Sequence, residues 1–123
     1  MRIALLAIGI FLLLATVLVQ AATSGVQNRP PVTYTECGAR QRSLVSDTSL
    51  NLVFSNHTKG TVTIYWLDFK GERVWYNTLA PGDSYTQQTY VTHPWVIVDS
   101  QGRCLDQLVP NAAGTFDVPI RRR

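Results

Sequence analysis

Five side chains between residues 66 and 95 have the types and spacing to do chemistry: Trp66, Tyr76, Thr89, His93 and Trp95. The three large aromatics supply flat apolar walls, and the hydroxyl and the imidazole supply two hydrogen-bonding tips. Such a set suits a small ring that itself carries a hydroxyl. Thr89, Val91 and His93 share parity, so within one strand they project to one face. Pro94 pushes His93 towards an extended backbone and ends regular pairing there. Trp95 follows at once, Trp66 closes the Val62-Ile64-Trp66 face, and Tyr76 follows the Gly71 turn. A plainer origin competes with this one. Three tryptophans and five tyrosines in a small β domain are often core and cross-strand pairs.

The same residues do not assemble a catalytic set, and no enzymatic activity is expected. No Gly-x-Ser-x-Gly, His-Glu-x-x-His, phosphate loop or paired-glycine fingerprint occurs. His93 with Asp68 or Asp99 would make a base and its orienter, with no nucleophile beside them. No cofactor is expected. Nor is a metal, because His57 and His93 are the only histidines and neither neighbours a cysteine in sequence. Asn56-His57-Thr58 is a formal glycosylation sequon, but an asparagine at the start of a turn bonds its own neighbouring backbone.

The elements that must position these residues are strand-like throughout. Leu50 to Phe54 is apolar at alternate positions, and Val62, Ile64 and Trp66 alternate with Thr61, Thr63 and Tyr65. Asn56 to Gly60 is expected to join these two runs as a hairpin-length loop. Lys70-Gly71 breaks the next pair, and Ala80-Pro81-Gly82-Asp83 has proline and glycine in the order of a type II turn. Further strands are expected over 84–92, 95–98, 104–109 and 115–118. No helical period follows the first 22 residues. About seven short strands point to a sandwich of two sheets, an all-β fold.

Residues 1–22 form an export signal: Met1-Arg2, an uncharged run from 3 to 19, then Val19-Gln20-Ala21 as the small-x-small cut. That run is close to the lower limit of a membrane span, so an uncleaved anchor is the alternative, and the only route to a membrane. Either way the remainder is exported: secreted, periplasmic or otherwise extracytoplasmic. Residues 23–43 are expected to be a flexible arm, 44–118 the domain and 119–123 a basic tail. The formal net charge of +3 is too balanced for a nucleic-acid partner, and the Arg121-Arg122-Arg123 triplet is a solvated terminus. Cys37 and Cys104 are the two cysteines of an exported chain and are expected to be bridged.

Asn56-His57-Thr58, Trp66-Leu67-Asp68-Phe69-Lys70-Gly71-Glu72, Tyr76-Asn77-Thr78-Leu79-Ala80-Pro81-Gly82 and Thr89-Tyr90-Val91-Thr92-His93-Pro94-Trp95 keep a joint spacing. In that spacing the chain resembles the β domain of the von Hippel–Lindau tumour suppressor family, ungapped from about Leu52 to Asp99. The resemblance implies a prealbumin-like β-sandwich that recognises a peptide containing hydroxyproline. It places the family's pocket tryptophan, tyrosine, serine, histidine and second tryptophan on Trp66, Tyr76, Thr89, His93 and Trp95. Thr89 stands where the family has serine, keeping the hydroxyl and adding a methyl. The family's helical domain has no counterpart before the chain ends, so a stand-alone recognition domain without ubiquitin-ligase partners is expected. Two other classes compete: an envelope-assembly protein that binds through a sheet edge, and a carbohydrate-binding module with a sugar stacked on Trp66 and Trp95.

Overall fold

The computed structural model describes residues 15–20 and 29–122. The expected export segment therefore lies mostly outside the described residues, of which 15–20 carry no regular secondary structure. No helix long and apolar enough to cross a membrane occurs among the described residues.

The strands are β1 (Val32–Thr35), β2 (Ser49–Asn56), β3 (Val62–Leu67), β4 (Arg73–Leu79), β5 (Ser84–Tyr90), β6 (Trp95–Asp99), β7 (Cys104–Pro110) and β8 (Thr115–Ile120). They form a five-stranded sheet in the order β1-β7-β6-β3-β4 and a three-stranded sheet in the order β5-β2-β8. The fold is thus an all-β sandwich. Leu50, Leu52 and Phe54 of β2 meet Val62, Ile64, Trp95, Ile97 and Leu108 of the larger sheet in one core, closed by Val118 and Ile120 of β8. β2 pairs with β5 antiparallel and with β8 parallel. The chain crosses between sheets at the Ala80–Asp83 turn, where Gly82 has φ +84° and the Asp83 amide donates to the Ala80 carbonyl. That is the type II geometry its Pro-Gly order implies.

Three expectations need correction. The Asn56–Gly60 loop does not close a hairpin, because β2 and β3 lie in different sheets. The Asn56 amide is taken by Asp83, the His57 amide by Ile120, and the Asn56 carbonyl by Gly82, so the loop serves β8 and the β4–β5 turn. Asn56 itself is 1 % exposed. Its amide nitrogen donates to the Gly60 and Leu79 carbonyls while its oxygen accepts from the amide and hydroxyl of Thr58. The side chain of the sequon asparagine is therefore a buried turn clamp.

The expected arm is the second correction. From Val32 it belongs to the sandwich, with β1 pairing antiparallel to β7. Asn111 fastens its start, donating from its amide to Pro31 and from its side chain to Pro30 and Thr33. Residues 36–48 then run as an ordered strap without regular structure. Buried Gln107 donates to the Ala39 carbonyl and to Gln41, and accepts from the Gly38 amide. Side-chain hydrogen bonds, which have no period for sequence patterning to detect, replace the ladder here. The third correction is at the other end: Pro119 and Ile120, expected in the basic tail, pair with Ser55 and Asn56.

Cys37 and Cys104 are bridged, with Cα atoms 5.9 Å apart, tying the strap to the start of β7. The bond spans 67 residues of sequence, for which the chain-entropy model gives about 4 kcal/mol. Replacing both cysteines by serine should lower unfolding stability by up to that amount, seen as a reduced urea midpoint with a steeper slope, because the unfolded chain is no longer held compact. Unreduced peptide mapping should recover the linked pair, and two free thiols in protein from its native compartment would contradict the bridge.

Candidate functional site

The five candidate residues come together at the open edge of the sandwich, where edge strand β4 of one sheet faces edge strand β5 of the other. They line a cleft of about 260 Å³ together with Ser46, Phe69, Gln87, Gln88 and Tyr90.

Each wall reaches the cleft by a different device. Trp66, near the end of β3, pairs with Trp95 and Val74, and its ring is fixed from behind. Its indole N–H donates to the Ser43 hydroxyl at 2.7 Å, and Ser43 in turn donates to the Leu67 carbonyl. Tyr76 is delivered by a bulge. Ile64 pairs with Asn77 and the next residue, Tyr65, with Trp75, which leaves Tyr76 as the extra residue on β4. A bulge of this kind re-aims one side chain without disturbing the rest of the ladder. Tyr76 meets Trp66 edge-on at 6.2 Å and Trp95 edge-on at 4.9 Å.

Trp95 forms the floor and is 1 % exposed. Its ring also packs on Phe54 of the opposite sheet, and its indole N–H donates to the Thr89 hydroxyl at 3.1 Å. Thr89 therefore presents a hydroxyl with one acceptor position already used and its own proton still to give. A ligand hydroxyl would have to accept from Thr89 or share its second lone pair.

His93 does not arrive by strand parity. β5 ends at Tyr90, and a turn follows in which the His93 amide donates to the Tyr90 carbonyl and Thr92 has φ +78°. The imidazole stacks on Trp66 with ring centres 5.3 Å apart. Phe69 touches it edge-on at 5.5 Å, and Tyr90 lies 5.2 Å away. These two aromatics escaped the sequence reading because Phe69 sits in a turn and Tyr90 follows Thr89 with the opposite parity. Nε2 lies 2.9 Å from the Val45 carbonyl and 3.2 Å from the Ser46 hydroxyl. A carbonyl can only accept, so Nε2 carries the proton and Nδ1 is the acceptor of the neutral ring. Burial lowers the His93 pKa below the usual histidine value, against the raising effect of the Val45 hydrogen bond.

The carboxylates considered as orienters for His93 serve elsewhere. Asp68 accepts the amides of Lys70 and Glu72 in the β3–β4 turn. Asp99 accepts the amides of Gln101 and Arg103 and pairs with the Arg103 guanidinium at 2.8 Å. The group that orients His93 is a strap carbonyl. Among the described residues no three His, Cys, Asp or Glu side chains converge as a metal site would need. The cleft thus combines aromatic walls, a sealed floor and two polar tips, with Nε2 of His93 committed to Val45 and one lone pair of Thr89 committed to Trp95.

The family model described as the VHL beta domain matches residues 41–118, well over half of the chain. The match covers Gln41 in the strap, all five candidate residues and most of β8. Cys37 and β1 lie before it.

Core and cleft are separable by substitution. Trp95→Ala removes a fully buried ring and should cost about 3–5 kcal/mol, so it reports on folding before it reports on binding. Thr89→Val strands the buried Trp95 indole N–H and should cost about 1–3 kcal/mol. Tyr76→Ala, at a ring that is 38 % exposed, should be the mildest of the three. Stability should also fall with pH below about 6.5, where the unfolded chain takes up the proton that folded His93 resists. Thermal melts from pH 5 to 8 check this, and His93→Gln should flatten that part of the profile.

Proposed function

The chain belongs to the VHL beta domain family, and from that membership we propose that it is an exported peptide-recognition module whose cleft takes a hydroxyproline-like ring. Family membership supports a protein-binding module in general. The disulfide supports an oxidising, extracytoplasmic setting. The ring-specific part of the reading rests on one observation, the engagement of His93 Nε2 by the Val45 carbonyl.

With Nε2 fixed as donor, Nδ1 of neutral His93 accepts the proton of a ligand hydroxyl while Thr89 donates its own proton to the same oxygen. A five-membered ring held against Trp66 and Tyr76, above the Trp95 floor, buries apolar area worth about 25 cal/mol per Å². A ligand without the hydroxyl leaves both polar tips desolvated and unpaired, at a cost on the order of 1–3 kcal/mol each. Discrimination therefore comes from what the wrong ligand fails to satisfy. β4 is the outer strand of its sheet, and Val74, Trp75 and Tyr76 along it are exposed. A peptide with its ring in the cleft runs beside this edge, where main-chain hydrogen bonds add affinity. The role proposed for Asp68 and Asp99 is structural, so the module binds without catalysing a reaction.

Calorimetric titration of matched peptides tests the reading. A 4-hydroxyproline peptide should bind roughly 10- to 100-fold more tightly than its proline counterpart, and Tyr76→Ala should remove most of that binding. Equal affinities, or a preference for an oligosaccharide over both peptides, would overturn it. Affinity should fall as pH drops from 8 to 5, because a proton on Nδ1 turns the acceptor into a donor. Since burial lowers the His93 pKa, the loss should be centred below about pH 6.5. A wild-type profile that is flat, or parallel to that of His93→Gln, would eliminate the neutral-acceptor model.

A further inference from the structure

A second concavity lies on the far side of the β3–β4 turn from the aromatic cleft. It is a groove of about 540 Å³ between the strap and the start of β4, lined by Arg40, Arg42, Lys70 and Arg73 with Leu67, Val96 and Gln107. Four cations line it and no carboxylate does. Among the described residues the ion pair between Arg103 and Asp99 lies elsewhere, in the β6–β7 turn, and none engages these four side chains. The carboxylates nearest in sequence form no ion pair with these cations. Asp68 is committed to backbone amides of its own turn, and exposed Glu72 is not part of the lining. Four like charges around one groove repel one another, a standing cost that an anionic occupant would reverse.

The groove is built on a fixed frame. Gln107 clamps the strap at Gly38, Ala39 and Gln41, and the Cys37–Cys104 bridge anchors its start. Gly71 permits the close approach of turn and strap. At its φ of +80° an added Cβ would stand 2.9 Å from the Gln41 carbonyl oxygen. The Arg73 guanidinium is held 5.7 Å above the Tyr65 ring. The groove lies on the other face of the larger sheet from the cleft, for Trp66 and Trp95 line the cleft while Leu67 and Val96, each the next strand residue, line the groove, and the two are linked around the outer strand β4. Along β4, Arg73 precedes Tyr76 by three strand residues, about 10 Å.

We infer that this groove receives carboxylate side chains of the same peptide, placed three to four residues from the ring on the flank that points towards the start of β4. The inference rests on the cleft reading for its origin, since an extended chain leaving the cleft along the β4 edge meets Arg73 at that distance, with Lys70 in the turn beyond it. Arginine forks suit carboxylates bidentately. A free polyanion such as a sulfated glycan would share the charge but not the fixed spacing from the ring.

The test uses the full chain and eight peptides: hydroxyproline or proline at the centre, with Asp-Asp or Asn-Asn three and four residues away on one flank or the other. Asp-Asp on a single flank should tighten binding roughly 3- to 10-fold at low salt, and the gain should vanish near 0.5 M salt. The double variant Arg42→Gln, Lys70→Gln should lose the gain while keeping its melting temperature and its preference for hydroxyproline. Ring preference with no gain from Asp-Asp, or an equal gain on both flanks that survives in the double variant, overturns the groove and leaves the cleft standing. A charge gain that depends on Arg42 and Lys70 without any ring preference supports the groove and overturns the cleft. A sulfated oligosaccharide that binds in their place, with both Asp-Asp peptides inert, overturns the groove as a peptide site.

Discussion

The buried indole of Trp95 is the contact on which both the sandwich and its cleft depend. It begins β6 in the larger sheet, packs on Phe54 of the smaller one, meets Tyr76 of β4 and donates its N–H to Thr89 of β5. One side chain therefore links the two sheets at the edge where they are otherwise open. It also sets the depth of the cleft and fixes the hydrogen-bonding state of the threonine beside it. A ring of this size between two sheets contributes several kcal/mol through apolar burial alone. Satisfying its polar atom with Thr89 avoids the penalty of an unpaired buried donor. The ring that stabilises the sandwich is therefore also the floor of the cleft.

Much of the fold was legible in the sequence, and the reasons differ by element. Strand periodicity in β2 and β3 is clear because one face of each is buried, and Pro81-Gly82 fixes its turn by backbone chemistry alone. Sheet membership was not legible. Alternation says that β2 and β3 are strands and says nothing about partners, so the short Asn56–Gly60 loop looked like a hairpin although its backbone groups serve β8 and the β4–β5 turn. β1 was hidden for another reason. Pro30-Pro31 and the small polar residues around it look like a linker, and what orders them is long-range: pairing with β7 and the bonds from Asn111.

The candidate site was legible in its membership and not in its mechanics. All five residues line one cleft, yet two of them arrive by irregularities that no alternation rule supplies: the bulge at Tyr76 and the turn before His93. Phe69 and Tyr90 complete the aromatic enclosure from positions that pattern reading assigns to a turn and to the opposite face. The strap was the largest omission. Ser43, at the end of the stretch expected to be a loose arm, holds Trp66, and Val45, just past that expected boundary, holds His93.

Backbone strain at Thr92 fits this division of labour. A β-branched residue at φ +78° costs about 1–3 kcal/mol and persists only where its surroundings over-determine it. Here the Thr92 amide donates to the Pro110 carbonyl, and its hydroxyl lies 3.3 Å from the Val45 amide of the strap. Those contacts hold the turn that swings His93 out of strand register and onto Trp66, with Nε2 against Val45. Without the turn, strand parity would carry His93 along the β5 face with no strap carbonyl to choose its tautomer. The imidazole would then lose the Val45 carbonyl that fixes Nε2 as its donor and Nδ1 as its acceptor. The strained residue, the strap carbonyl and the stacked ring are three parts of one arrangement, and the cost of the first is what places the last against Trp66.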